Sequence, residues 1–274
     1  MTLTEAIGIL REAGVENPAL DARIIFAEIG GIPKSSLVLG GEVEDGSAAA
    51  KAVMRRAERY PLEYVIGSVS FYRERYEVSE DCLIPRDDTE TLVDFAVKNL
   101  KDGAVFADLC TGSGCVCLSV LNNTKNTVAD AVDISERALS IAKRNATRLG
   151  LDGRVRFHGM DVLNERLEGR YDAILSNPPY VKDSVYDTLS PEIKKEPKIA
   201  FVGGKDGLTF YEKIVEDYGN LLNEGGFFAF EIGYDEGCAL RKIGEKHGFF
   251  TEIIPDLSGN DRVAVLRRRT GFKA

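Results

Sequence analysis

Ala104-Val105-Phe106-Ala107-Asp108-Leu109-Cys110-Thr111-Gly112-Ser113-Gly114 is the stretch from which the fold is read. Residues 104–109 are apolar except for one acid, as in a strand buried on both faces. They run into a glycine-rich loop, and an apolar helical stretch follows at 114–122. Strand, tight turn and helix in that order begin an open α/β sheet. Glycines in the turn let backbone N–H groups approach a ligand closely, although the same pattern also describes an ordinary strand-to-helix turn.

Downstream, the alternation continues. Further strands are expected at 127–133, 154–159, 171–177 and 226–233, with helices at about 89–100, 135–149, 207–222 and 235–247. This predicts a parallel sheet covered on both faces. The tail breaks the rule: residues 249–256 and 261–268 read as two strands about a turn at Ser258-Gly259-Asn260, an antiparallel hairpin on one sheet edge. A mostly parallel sheet ending in such a hairpin is the Rossmann-like methyltransferase pattern and not that of the dehydrogenases.

Upstream, the grammar changes. Residues 1 to about 60 repeat apolar positions at helical spacing, with Gly14 after the first helix, Pro18 at the start of the second and Pro61 after the third. A bundle of three or four short helices is expected there. Residues 61–82 carry β-branched and aromatic residues in rough alternation and read as a β-hairpin connector. The expected division is a helical bundle at 1–62, a hairpin linker at 63–84 and an α/β domain at 85–274.

The chain has 274 residues and a net charge of −9, with 35 Lys and Arg against 44 Asp and Glu. Nucleic-acid binding draws its affinity from neutralised phosphates and leaves a basic footprint. Here the one dense basic run is Arg267-Arg268-Arg269, read as a solvated strand end, so no nucleic-acid partner is expected. Membrane attachment is not expected either: no apolar run approaches the roughly 20 residues of a spanning helix, and the N-terminus lacks signal-peptide grammar. The expected location is the cytoplasm. Five cysteines (82, 110, 115, 117 and 238) at irregular spacing read as small buried thiols, and the two isolated histidines complete no metal site.

The strand ends carry the chemistry. Asp133 closes the strand that follows the glycine loop, where an acid accepts ribose hydroxyls; alternatively it caps the next helix, a task that Ser135 could take. Asp108, Asp133 and Asp161 would line one crevice at the carboxyl edge of the sheet. That many acids would repel a pyrophosphate, and they suit a cationic, donor-rich cofactor, S-adenosylmethionine. Strand 171–177 runs into Asn177-Pro178-Pro179-Tyr180. A planar amide or amine nitrogen has a delocalised lone pair and is a poor nucleophile. The Asn177 side-chain oxygen and the Pro178 carbonyl can grip its two N–H groups, and Tyr180 can stack on its flat face. An activated methyl donor then needs positioning more than it needs a strong base. Arg86 and Thr89, flanking the cofactor's methionine end, and Glu231, closing a strand at the same crevice edge, are further candidates.

Several longer motifs narrow the choice. Pro61-Leu62-Glu63-Tyr64-Val65-Ile66-Gly67, Ile84-Pro85-Arg86-Asp87-Asp88-Thr89-Glu90 and Asp108-Leu109-Cys110-Thr111-Gly112-Ser113-Gly114 resemble signatures of the PrmC/HemK family, the release factor glutamine methyltransferases. Asn177-Pro178-Pro179-Tyr180, Glu196-Pro197, Gly203-Gly204-Lys205-Asp206-Gly207-Leu208 and Asp256-Leu257-Ser258-Gly259-Asn260-Asp261-Arg262 match it as well. The resemblance implies a five-helix-like N-terminal domain that recognises the substrate, a hairpin linker and a seven-strand S-adenosylmethionine-dependent domain. It implies methylation of the glutamine side-chain nitrogen in the Gly-Gly-Gln motif of release factors, modulating translation termination and leaving S-adenosylhomocysteine. By position it assigns Cys110 to Gly114, Asp133 and Val162 to the cofactor, Asn177 to cofactor and substrate, and Pro178, Pro179 and Tyr180 to the glutamine. Phe201 stands where the family pattern leads one to expect Leu, and Glu231-Ile232-Gly233 lacks the glutamine usual a few residues later. A monomer suits a partner that must reach an open cleft.

Two rival readings stay open at this point. A nucleic-acid amino-methyltransferase would share the Asn-Pro-Pro-Tyr tetrapeptide, and a non-catalytic cofactor-binding protein would share the fold.

Overall fold

Local signals set the helix ends of the bundle. Thr2 and Glu5 form a capping box. The Glu5 N–H donates to Thr2 Oγ1 at 3.2 Å, and the Thr2 N–H donates to Glu5 Oε2 at 2.7 Å. This starts α1 (Leu3–Glu12). Pro18 opens α2 (Pro18–Glu28), and the Ser47 hydroxyl caps α3 (Ala48–Ala57). The short α4 (Leu62–Ile66) ends on left-handed Gly67. Leu3, Leu10, Ile25, Phe26 and Val53 fill the core of this bundle.

The computed structural model describes residues 1–38 and 40–268. After the bundle come a hairpin, β1 (Ser68–Phe71) and β2 (Glu74–Glu77), and then α5 (Glu90–Asn99). The main domain continues β3 (Val105–Leu109), α6 (Cys115–Asn122), β4 (Val128–Asp133), α7 (Glu136–Leu149), β5 (Val155–Gly159) and β6 (Tyr171–Ser176). It closes with α8 (Asp183–Tyr186), α9 (Thr209–Tyr218), β7 (Leu222–Glu231), α10 (Gly237–Lys246), β8 (Phe249–Pro255) and β9 (Asp261–Arg268).

The seven strands lie in the order β5-β4-β3-β6-β7-β9-β8, with β5 to β7 parallel and β9 antiparallel to both neighbours. The expected Rossmann-like sheet with its terminal hairpin is therefore present. The strand order reverses between β3 and β6, and ligands of open α/β sheets bind in the crevice at such a switch point. On one face, Leu92, Cys117 and Leu121 pack against Phe106 and Ala131. On the other, Tyr211, Ile214, Tyr218 and Leu240 pack against Phe228 and Phe230.

Several expectations need correction. Residues 63–66 are helical and not strand, because Pro61 at the entry and Gly67 in the left-handed region bound one tight turn that buries Tyr64. The five-helix-like reading becomes four α-helices and a 3₁₀ turn at Ser36–Val38 among the described residues before β1. Cys238 is exposed, unlike buried Cys82, Cys115 and Cys117. Arg267 and Arg268 lie over aromatic rings, Arg267 on Phe227 and Arg268 on Phe249; Arg269 is outside the described residues.

Two joints hold the parts together. The hairpin docks on the main domain through Tyr76, whose hydroxyl meets Ser119 Oγ at 2.7 Å. Fully buried Asn145 accepts from the Glu77 N–H (2.7 Å) and donates to the Ser113 carbonyl (3.0 Å), which ties the hairpin to the glycine loop. The bundle docks through Arg56, bonded to Asp21 (2.8 Å) and Glu192 (3.2 Å), and Arg59, which reaches both Glu192 oxygens at 2.6 and 2.8 Å.

Candidate active site

A cavity of about 430 Å³ opens at the carboxyl ends of β3, β4 and β6. Its lining includes Cys110, Gly112, Asp133, Asp161, Val162, Asn177 and Pro179, so seven of the expected residues meet in one place. The glycine loop reaches it because Gly114 sits in the left-handed region (φ 82°), where a Cβ would also press on Ala142 and Leu118 at 3.1 Å. Cys110 is left-handed too, with φ at 62°. That conformation is costly for a residue with a Cβ.

Asp133 is the acid at the cavity edge. It accepts from the Gly112 N–H (2.8 Å) and the Ser135 N–H (2.9 Å), while the Ser135 hydroxyl takes the helix cap. The capping alternative for Asp133 is thereby excluded. Burial raises its pKa above the ordinary carboxylate value, and these backbone donors offset only part of that. Asp161 accepts from Leu163 N–H and Asn164 Nδ2. Among the described residues neither acid pairs with a Lys or Arg, and the lining contains no basic side chain.

Asp108 is a correction. It does not line the cavity but lies beneath the loop, 1% exposed, with Oδ2 accepting from the Thr111 hydroxyl (2.6 Å) and the Cys117 N–H (3.2 Å). Burial pushes its carboxyl up to about 7. Thr111 and Ser113 are buried as well, so these two residues and Asp108 brace the loop from behind. Gly114 likewise stands off the lining, at the start of α6.

A second cavity, of about 150 Å³, adjoins the first. Leu83, Val181, Leu189, Ile193 and Phe201 supply its apolar wall, and Arg86, Asn177, Tyr180 and Glu231 its polar groups. Asn177 lines both cavities. Its Nδ2 donates to Thr89 Oγ1 at 3.2 Å, and the Tyr180 hydroxyl donates to Glu231 Oε1 at 3.1 Å. Glu231 Oε2 is buried and receives no well-formed hydrogen bond. Burial raises the Glu231 pKa, against the hydroxyls of Thr89 and Tyr180 and the nearby charge of Arg262. Arg86 pairs with buried Glu196, which also accepts from the Ile84 N–H at 2.9 Å.

The motif's backbone is held from behind. A Cβ on Gly203 would stand 2.4 Å from the Pro179 carbonyl oxygen, so only glycine lets that segment lie against the motif. Pro178 is buried and lines neither cavity.

Sequence reasoning missed Leu83, Met160, Ile199, Ala200 and Phe210 in the first cavity. The motifs at Glu196 and Gly203 pointed to that segment without saying that it forms a wall. Thr89, expected near the cofactor's methionine end, meets Asn177, and Glu231, expected at the crevice edge, meets Tyr180.

The donor set fits a cationic nucleoside. Two acids free of cationic partners and a lining without basic residues suit ammonium, ribose and amine donors and disfavour a pyrophosphate. Among the described residues no cluster of three or more His, Cys, Asp or Glu is set to hold a metal, and no helix is long and apolar enough to cross a membrane.

Comparison with known proteins agrees with this geometry. Residues 2–67 match the model of the PrmC N-terminal domain, and residues 87–199 match that of the methyltransferase small domain. The chain is 37% identical over 271 residues to a release factor glutamine methyltransferase of Agrobacterium fabrum, covering 94% of this chain and 93% of that one. It is 34% identical to the protein of the same name from Moorella thermoacetica, covering 98% and 99%. A solved methyltransferase from Pyrococcus furiosus shares the fold with a TM-score of 0.53, at 22% identity over 70% of this chain and 86% of that chain.

Proposed function

The chain belongs to the family of release factor glutamine methyltransferases, and on that premise we propose that it methylates the side-chain amide nitrogen of the glutamine in the Gly-Gly-Gln motif of peptide release factors. This modulates translation termination. The observation that carries the reading is Asn177, one side chain lining both a cavity suited to a cationic nucleoside and a smaller, mostly apolar cavity suited to an amide.

Asp133, Asp161, Val162 and the loop from Cys110 to Gly114 hold the cofactor, with Asp108 supporting that loop from below. When bound, S-adenosylmethionine supplies a methyl already activated by its sulfonium and leaves as S-adenosylhomocysteine. Asn177 Oδ1 and the Pro178 carbonyl accept the two amide N–H groups, which orients the nitrogen lone pair towards the first cavity. Tyr180 flanks the amide plane with its hydroxyl tethered to Glu231. Pro179, held against Gly203, keeps the motif rigid. Leu83, Leu189, Ile193 and Phe201 exclude water from the reacting nitrogen.

The same proposal assigns substrate recognition to the bundle (1–62, with 63–66 continuing it as helix), a linking role to the hairpin up to residue 84, and catalysis to residues 85–268 of the described chain. The enzyme acts as a monomer in the cytoplasm, on a protein and not a nucleic acid. The test is transfer of labelled methyl from S-adenosylmethionine to purified release factor, beside the same factor with its Gly-Gly-Gln glutamine changed. Label on the first alone supports the assignment. No label on either, with label on ribosomal RNA or DNA, sinks it.

A further inference from the structure

Asn177 can serve as an acceptor for the substrate amide only if its side chain is held one way round. The amide has two nearly isosteric ends, one a pure donor and the other a pure acceptor. Turned over, it would present its NH₂ to a substrate NH₂, donor against donor. Something in the protein must therefore choose, and the contacts around Asn177 show what.

Asn177 Nδ2 donates to Thr89 Oγ1 at 3.2 Å. Thr89 is 1% exposed, and its hydroxyl lies close enough to the Glu231 carboxyl to oppose the rise in that acid's pKa. Glu231 Oε2 is buried without a hydrogen-bond partner in the structure, and the neighbouring Thr89 hydroxyl carries a proton that it can take. A hydroxyl has a single proton to give, and an ionised carboxylate only accepts. With Thr89 donating to Glu231, its remaining capacity towards Asn177 is a lone pair, which selects Nδ2 and turns Oδ1 away. Glu231 is 2% exposed at the end of β7, and the Tyr180 hydroxyl holds its Oε1. The charges of Arg262 on β9 and of Asp88 beside Thr89 act on it, Arg86 lines the same cavity, and Tyr211 from α9 bonds its backbone carbonyl at 2.9 Å. Each member of the chain comes from a different element: the turn before α5, the end of β6 and the end of β7.

We propose that Glu231 and Thr89 are positioning residues for methyl transfer: the carboxylate fixes the direction of the Thr89 hydroxyl, and the hydroxyl fixes the amide of Asn177 with its oxygen towards the substrate. The proposal rests on the functional reading above and adds the residues that set its acceptor geometry. Neither residue touches the reacting atoms.

The test compares Glu231→Gln, Thr89→Val and Thr89→Ser with the wild-type protein, in methyl transfer to release factor and in ¹⁵N NMR of the Asn177 side-chain amide without substrate. Gln at 231 can donate to Thr89 and reverse the chain, Val breaks it, and Ser preserves it. The expected result is a fall in kcat of about 100-fold for Glu231→Gln and Thr89→Val, of the order seen when one oriented donor or acceptor is lost. KM for release factor should change little, and Thr89→Ser should restore kcat. The Asn177 amide resonances should move in the first two variants and stay in the third. Unchanged resonances, or undiminished kcat, in either of the first two overturns the proposal. If Glu231→Gln does not fold, near-isosteric Thr89→Val carries the test. A wild-type protein that transfers no methyl to the glutamine contradicts the functional reading, and the amide resonances still decide for or against the relay.

Discussion

Asp133 and Glu192 are both carboxylates at junctions of the molecule, and they are treated in opposite ways. Glu192, at the joint between the bundle and the main domain, receives three guanidinium N–H bonds from Arg56 and Arg59. Burial works to raise its pKa, but the bonds from Arg59 and Arg56 outweigh that and hold it below the ordinary value. Asp133, at the carboxyl edge of the sheet, receives backbone N–H groups alone, and its pKa is raised. Asp130, three residues earlier on the same strand, repeats the first pattern, with Arg156 on both oxygens and His158 at 2.6 Å. Glu192 and Asp130 each have a cation of their own within the protein. Asp133, at the edge of a large cavity, has no cationic partner among the described residues, which leaves it open to the donors of a ligand.

That contrast can be broken by experiment. The largest effect is expected at Asp108, whose carboxyl lies at about 7 against a reference of 3.8. A carboxyl with a folded-state value above its unfolded value takes up a proton on folding. Its stabilising contribution is complete below the unfolded value and is lost as pH rises through the folded one. The melting temperature of the free protein should therefore fall by several degrees between about pH 4 and about pH 7. Asp108→Asn, which keeps an acceptor for Thr111 and Cys117, should flatten that slope; an unchanged slope would mean that the buried acid is not what titrates.

A smaller effect is expected at the joint. Glu192→Gln leaves Arg56 with Asp21 but deprives Arg59 of its charged partner. After allowance for solvent at this half-buried site, the cost should be about 1 kcal/mol. Chemical denaturation measures it. A loss below a few tenths of a kcal/mol would place this pair with ordinary surface ion pairs and remove one side of the contrast.

The fold was legible because its signals are local. Five alternating strand and helix patterns and the final hairpin need only neighbouring residues to be recognised, and β3 to β6 fall within a residue of their expected limits. The start of β7 at Leu222 was not legible, since Asn223-Glu224-Gly225 reads as a turn and is drawn into the strand by pairing of Tyr171 with Leu222. Residues 62–66 failed for a related reason: Leu, Tyr, Val and Ile suit strand and helix alike, and the flanking Pro61 and Gly67 decided between them.

Much of the site was legible too, because strand ends at a switch point converge whatever the intervening sequence. Asp133, Asp161 and Asn177 were placed at the cavity edge in this way. The same rule misplaced Asp108, since it counts strand ends without telling which side chain turns under the loop. The pairings of Arg86 with Glu196 and of Thr89 with Asn177 span 110 and 88 residues, and nothing in one sequence links such positions.

Asp133, the acid at the cavity edge without a cationic partner, bears most directly on cofactor recognition. Calorimetric titration of S-adenosylmethionine into the wild-type protein, Asp133→Asn and Glu192→Gln tests it. The predicted result is tight binding by the wild-type protein and by Glu192→Gln, with Asp133→Asn weakened by about 10- to 100-fold, as expected for loss of charge-assisted hydrogen bonds. Equal affinity in Asp133→Asn and the wild-type protein would contradict it.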